Sequence, residues 1–320
     1  MENQNYENFV ISTPDNQELS ARRYITDAPA EAVLIIVHGM AEHQKRYAEI
    51  AEELRSNFIS VYTYDQRGHG DTAGSQENIG FFAPKNGHKI VVNDLQLLVE
   101  IAKKEQPEKP VFLMGHSMGS FVCRNYIIEH SQEIDGLILS GTAAGAGFLG
   151  KIGKAIATLT GLIMGKKHPS KLMDAMSFGD FNKSFKPNRT KFDWISKDHA
   201  EVDKYIADPY CGSIFSAQFF KDMLNLIEKA NSASEAKAIS NTRMPILIFS
   251  GENDPVGDFG KGVKKVKDLY QEAGFSDVKL ILYPEGRHEM LNETNKAEVH
   301  SDLTDWLEKK TNAGQESEQA

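Results

Sequence analysis

Long apolar runs are missing from this 320-residue chain; nowhere do 18 apolar residues follow one another, so no membrane-spanning helix is expected. The opening MENQNYENFVIS holds neither a basic stretch nor an apolar one, which leaves no secretion signal to read and points to the cytoplasm. A basic surplus is also absent. With 36 Lys and Arg against 45 Asp and Glu, the formal charge is -9, the reverse of what phosphate binding needs, so no nucleic-acid partner is expected. Cysteine is scarce. Cys123 and Cys211 stand in no Cys-x-x-Cys pattern and beside no histidine pair that would suggest zinc, so they read as free thiols.

What the chain does have is a rhythm. Short Val- and Ile-rich runs recur: AVLIIVHG, SVYTYD, PVFLMGH, GLILSGT, PILIFSGEND and VKLILYPEG. Their apolar residues are continuous rather than alternating, the pattern of strands buried on both faces of a parallel sheet. Helical patterns such as RYAEIAEELRSN and GKGVKKVKDLYQEAG lie between them, giving an α/β doubly wound sheet. The opening ENFVISTPDNQELSARRYIT instead reads as an antiparallel hairpin at one sheet edge, turned by Pro-Asp-Asn. From about Gly145 to Ser240 the strand runs stop, as in an inserted helical lobe, and they resume at Met244. The expected division is therefore a core of 1–142 and 241–312, a helical cap of 143–240 after the sixth strand, and a disordered polar tail of 313–320.

Ligands of such sheets gather beyond the carboxyl ends of the strands, and reactive residues cluster there in this sequence. Ser117 sits in Gly115-His116-Ser117-Met118-Gly119, where the strand PVFLM stops and a helical pattern starts directly. A turn that tight strains the serine backbone and needs glycine on either side, and it exposes the hydroxyl at a helix N-terminus. A serine hydroxyl needs a general base to remove its proton. His288 follows the last strand run in EGRHEM, whereas His300 lies in a helical pattern and reads as a helix-surface residue. The acid that orients the imidazole is expected to be Asp254, rigidified by Pro255, with Glu252 and Asp258 as alternatives in the same turn. Two backbone amides are needed for an oxyanion; Met118, after the serine, offers one, and Met40, in the loop HGMAEH, the other.

These blocks together resemble the α/β-hydrolase enzymes of the monoacylglycerol lipase and lysophospholipase type, grouped with the serine aminopeptidase-like hydrolases. VHGMAEHQKRY is similar to the family's oxyanion loop, GHSMGS to its nucleophile turn, GENDPVGD to its acid turn and GRHEMLNE to its histidine block. YDQRGHGDT resembles a further block in which Arg67 and His69 support the site, although Thr72 stands where a serine is usual after Gly-His-Gly-x. The resemblance implies an α/β-hydrolase fold, with a mostly parallel eight-stranded sheet, helices on both faces and a helical cap. It also implies hydrolysis of lipid-like carboxylic esters through an acyl-enzyme on Ser117, without metal or cofactor. A general short-chain carboxylesterase is the alternative, ahead of an aminopeptidase or a non-catalytic hydrolase-fold binding protein.

The cap opens with a stretch free of acids from Gly136 to Met173. Leu149, Ile152, Ile156, Leu159 and Ile163 recur there at helical spacing, with Lys151 and Lys154 off the stripe. This basic amphipathic helix has two compatible readings, packing over an acyl pocket and peripheral contact with a membrane surface.

Overall fold

The structure is a computed structural model and describes residues 5–145 and 147–318. Eight strands form one sheet: β1 (Glu7–Ser12), β2 (Glu18–Tyr24), β3 (Ala32–Val37), β4 (Ile59–Tyr64), β5 (Val111–His116), β6 (Gly136–Ser140), β7 (Ile246–Gly251) and β8 (Val278–Tyr283). Their order is β1-β2-β4-β3-β5-β6-β7-β8. The edge hairpin β1–β2 and the β2–β4 pair are antiparallel, and the remaining pairs are parallel. Strands β3 to β7 are buried along their whole length, which is why their sequences lack the polar alternation that β1 shows.

The helices are α1 (Ala48–Ser56), α2 (Gly87–Glu105), α3 (Met118–His130), α4 (Gly147–Met164), α5 (Lys171–Phe178), α6 (His199–Ala207), α7 (Ala217–Ala230), α8 (Ala233–Ala238), α9 (Lys261–Glu272) and α10 (Lys296–Glu318). One sheet face buries Val33, Ile35, Leu113, Leu137 and Ile248 against Leu95 and Leu98 of α2, Val122 and Tyr126 of α3 and Val263 of α9. The other buries Leu34, Ile36, Phe112, Ile138 and Leu247 against Ile50 and Leu54 of α1 and Leu303 and Trp306 of α10. The alternation within each strand divides the two cores. His300 of α10 belongs inside, contrary to its reading as a surface residue. It is buried, with Nδ1 2.7 Å from Glu53 Oε2 and Nε2 3.2 Å from the Leu291 carbonyl oxygen, so the helix turns this polar position toward α1. The tail expected to be disordered, 313–320, lies outside the residues whose side chains are described.

Helices α4 to α8 lie between β6 and β7, where the strand runs of the sequence stop. Side-chain caps start four of them: Ser170, Asp198, Ser216 and Ser232 each accept from an amide in the first turn. Helix α7 packs on α2, α3 and α4 and buries Phe219, Phe220 and Leu226.

Helix α4 meets α7 through small residues rather than through its Leu and Ile stripe. Ala157 is buried, a Cβ on Gly153 would lie 3.1 Å from Leu224 Cδ1, and one on Gly161 would lie 4.0 Å from Ala217 Cβ. Small side chains let the two backbones come close, and the large ones are turned away. Leu149 is 74% exposed, Leu162 76% and Ile163 75%; of the expected stripe only Ile156 is half-buried, while Ile152 and Leu159 are exposed. Among the described residues no helix is long and apolar enough to cross a membrane.

Candidate active site

The order of the strands reverses at β3, which lies between β4 and β5, and the loops leaving β3 and β5 diverge at that point. Ser117 occupies the β5–α3 turn with φ 50° and ψ -116°, a conformation costly for a residue with a Cβ and held by its surroundings. Its N–H donates to the Ser140 carbonyl at 2.9 Å, and its carbonyl accepts from the amide and hydroxyl of Ser120 at 3.0 and 2.6 Å. The flanking glycines have no alternative. A Cβ on Gly115 would sit 2.4 Å from the Gly119 carbonyl oxygen, and one on Gly119 2.0 Å from that of Val37. With the backbone so pinned, the Ser117 hydroxyl itself makes no hydrogen bond among the described residues and is half-buried at the wall of a cavity.

His288 and Asp254 meet behind the serine. Asp254 is fully buried, and both its oxygens lie 3.0 Å from His288 Nδ1. Oδ2 also accepts from Ser250 Oγ at 3.0 Å and Oδ1 from the Val256 amide at 2.9 Å, which fixes the carboxylate. Glu252 and Asp258, the alternative acids, are exposed. Burial alone would lower the basicity of His288, but the Asp254 carboxylate outweighs it and raises the imidazole pKa above the ordinary 6.5. With Nδ1 committed to Asp254, Nε2 is the nitrogen left for a proton transfer. His288 adjoins the serine turn, since its ring centroid lies 4.7 Å from that of His116. His116 has its own pKa lowered to about 4 by burial and by His288, so it stays neutral.

Among the described residues the Met40 amide donates to no protein acceptor, and the Met118 amide opens α3, where first-turn amides lack intrahelical partners. The Met40 loop is held from behind by an ionic chain that short-range sequence patterns do not show. Glu42 Oε1 accepts from the Gly39 amide at 2.5 Å and from Tyr47 Oη at 2.8 Å. Arg46 Nη1 bonds Glu42 at 3.0 Å, and its two Nη atoms clamp Glu289, the neighbour of His288, at 2.6 Å each. Burial opposes charge on Glu42, yet Arg46, aided by Tyr47 and the Gly39 amide, holds its carboxyl below the usual range. Arg67 bridges Asp15 and Asp94, while His38 accepts the Gln66 amide at 3.0 Å beside His69, so both resembled support residues brace the loop after β4. Asp71 serves that loop through its amide, which donates to Asp65 at 2.8 Å.

The cavity at Ser117 measures ≈ 480 Å³. Its wall combines Met40 and Phe121 with cap residues Leu149, Ile152, Met173, Met176, Phe178, Phe181, Phe220 and Met223, and among the described residues no charged side chain lines it. Trp194, from the cap, lies 5.2 Å from the His288 ring and stacks on Phe178. Its segment is fastened to the histidine loop, because the Glu289 amide donates to the Ile195 carbonyl at 2.8 Å and Arg287 donates to the carbonyls of Asp193 and Ser196. Trp194 is visible in the sequence only as one aromatic among many.

Comparison with known proteins agrees with this architecture. The chain is 26% identical to a monoglyceride lipase of Rattus norvegicus over 92% of its length and 88% of the relative's. It is 26% identical to a monoacylglycerol lipase of Mycolicibacterium smegmatis, over 88% and 89% of the two chains. A thermostable carboxyl esterase from Bacillus coagulans, solved in complex with glycerol, superposes with a TM-score of 0.88 at 25% identity, covering 96% of this chain and 99% of that one. The family model described as serine aminopeptidase, S33, matches residues 28–295, and the chain belongs to that family of α/β hydrolases.

Proposed function

We propose that this chain is a carboxylic ester hydrolase of lipid-like substrates, monoacylglycerols or lysophospholipids, working through an acyl-enzyme on Ser117. The observation that carries the reading is the apolar cavity of ≈ 480 Å³ into which Ser117 opens, with the buried His288–Asp254 pair next to it. The lipase names of the similar chains support the substrate class. In the reaction His288 Nε2 takes the hydroxyl proton as Ser117 Oγ attacks the ester carbonyl. The charge that develops on the carbonyl oxygen faces the amides of Met40 and Met118, and Asp254 stabilises the imidazolium. The imidazolium protonates the departing alcohol; a water deprotonated by the same nitrogen then releases the fatty acid.

An aminopeptidase needs a carboxylate to hold the substrate ammonium group, and none lines this cavity among the described residues. The exposed Leu149, Leu159, Leu162, Ile163 and Met164 of α4 lie close in sequence to Lys151, Lys166, Lys167 and Lys171, a combination suited to the surface of an anionic lipid aggregate. Hydrolysis of monoolein and lysophosphatidylcholine, measured beside p-nitrophenyl esters of rising chain length, tests the assignment. A preference for acetyl over every longer acyl group would replace it with a short-chain carboxylesterase. Labelling by a fluorophosphonate that persists in Ser117→Ala would remove the acyl-enzyme.

A further inference from the structure

Among the described residues, one group of metal-ligating side chains comes together from distant parts of the sequence, outside the triad. A ring nitrogen of His43, a carboxylate oxygen of Asp208 and Sγ of Cys211 all lie within 4.8 Å of one another. His43 follows the Met40 loop; Asp208 and Cys211 belong to the turn after α6. The histidine is buried, with Nε2 2.8 Å from Asp208 Oδ2, while Nδ1 has no hydrogen-bond partner among the described residues. Buried nitrogens are seldom left in that state, since an unmet buried polar atom is costly. Asp208 and Cys211 are half-buried, so the cluster has an approach from solvent.

We propose that His43, Asp208 and Cys211 form a site for a zinc-class divalent cation, and that occupation of this site slows ester hydrolysis. One nitrogen, one oxygen and one sulfur are a donor set that zinc accepts, with bonds of about 2.0–2.3 Å and a fourth position for water. The present spread closes by a small movement of the turn that carries Cys211. The thiol gives its proton to solvent as the sulfur–metal bond forms. The positive charge of Arg46, felt at Cys211, is already compensated by Glu42 and Glu289.

The link to hydrolysis is the same turn. The Gly212 amide donates to the Ala41 carbonyl at 3.0 Å, and Tyr205 Oη donates to that same oxygen at 2.9 Å. Ala41 follows Met40 and has φ 57°, so its conformation depends on these contacts. Drawing Cys211 toward His43 therefore pulls on the carbonyl that sets the Met40 amide, while the triad stays untouched.

The test uses the full chain, with zinc affinity measured by competition against a chromophoric chelator and cobalt(II) as a spectroscopic probe. The expected result is one zinc per chain and a thiolate-to-cobalt charge-transfer band, both retained after Ser117 is blocked by a fluorophosphonate. Loss of an outer partner already costs a metal site about 10- to 100-fold in affinity, so Cys211→Ser and Asp208→Asn should each weaken binding at least tenfold, and Cys123→Ser should not. Zinc should slow hydrolysis by the wild-type chain and spare Cys211→Ser. Binding unchanged in Cys211→Ser, a cobalt spectrum without the thiolate band, or loss of binding on blocking Ser117 would overturn the site. Full zinc occupancy with undiminished hydrolysis would overturn its effect on the reaction.

Discussion

Gly119 shows how little freedom a single residue near Ser117 has. An added methyl would lie 2.0 Å from the Val37 carbonyl oxygen, and backbone on both sides has nowhere to move. Gly119→Ala is expected to lower stability by about 3 kcal/mol, read as a lower thermal unfolding midpoint; an unchanged midpoint would show that β3 and α3 can separate. The second prediction at this scale concerns protons. Because Asp254 raises the His288 pKa above 6.5, and only the neutral ring accepts a proton from Ser117, kcat/KM should fall as pH drops through a value above 6.5. A falling limb that starts only below pH 6 would contradict the Asp254 effect. The sequence places Ser117, Asp254 and His288 just beyond the ends of β5, β7 and β8, and the structure brings the last two together at 3.0 Å because those strand ends lie on one edge of the sheet. His300 was misread because helical spacing tells which residues share a face, not that a polar one on it is buried against Glu53.

Helix α4 makes the same point for a whole element. Its Leu and Ile stripe has the spacing of a packing face, yet the packing face is the row of Gly153, Ala157 and Gly161. Sequence periodicity identifies an apolar stripe; it does not say that the stripe is buried, and exposed apolar residues are common on protein surfaces. The strands were easier to read, since continuous burial of β3 to β7 leaves a continuous apolar signature. The exposure of α4 separates two effects that usually coincide. Leu162→Asp with Ile163→Asp should leave the unfolding midpoint within experimental scatter, because both side chains are about three-quarters exposed, while binding to anionic vesicles falls. A large loss of stability in that double variant would mean that the stripe packs after all.

At the scale of the molecule, Arg46 joins two loops that the sequence keeps far apart. Through Glu42 it reaches the Met40 loop, and through Glu289 the histidine loop, 243 positions away. No sequence spacing could reveal such a chain, nor the approach of Asp208 to His43 across 165 positions. Arg46→Met leaves two buried carboxylates without their cation and is expected to cost about 3–5 kcal/mol, with activity lost alongside. Full activity in a stably folded Arg46→Met chain would show that the two loops hold their places independently. A last consequence comes from the position of the cap in the sheet. Strands β6 and β7 are parallel hydrogen-bonded neighbours, so the chain leaves the sheet at Ser140, beside Phe249, and bridges the gap back to Ile246, beside Leu137, through residues 141–245. Anything hung on that gap is, to the sheet, a loop whose length it does not sense. A lineage built on this scaffold can therefore exchange the walls of the cavity at Ser117 wholesale while the strands that carry Ser117, Asp254 and His288 keep their pairing, which makes grafted caps a natural route to new ester preferences.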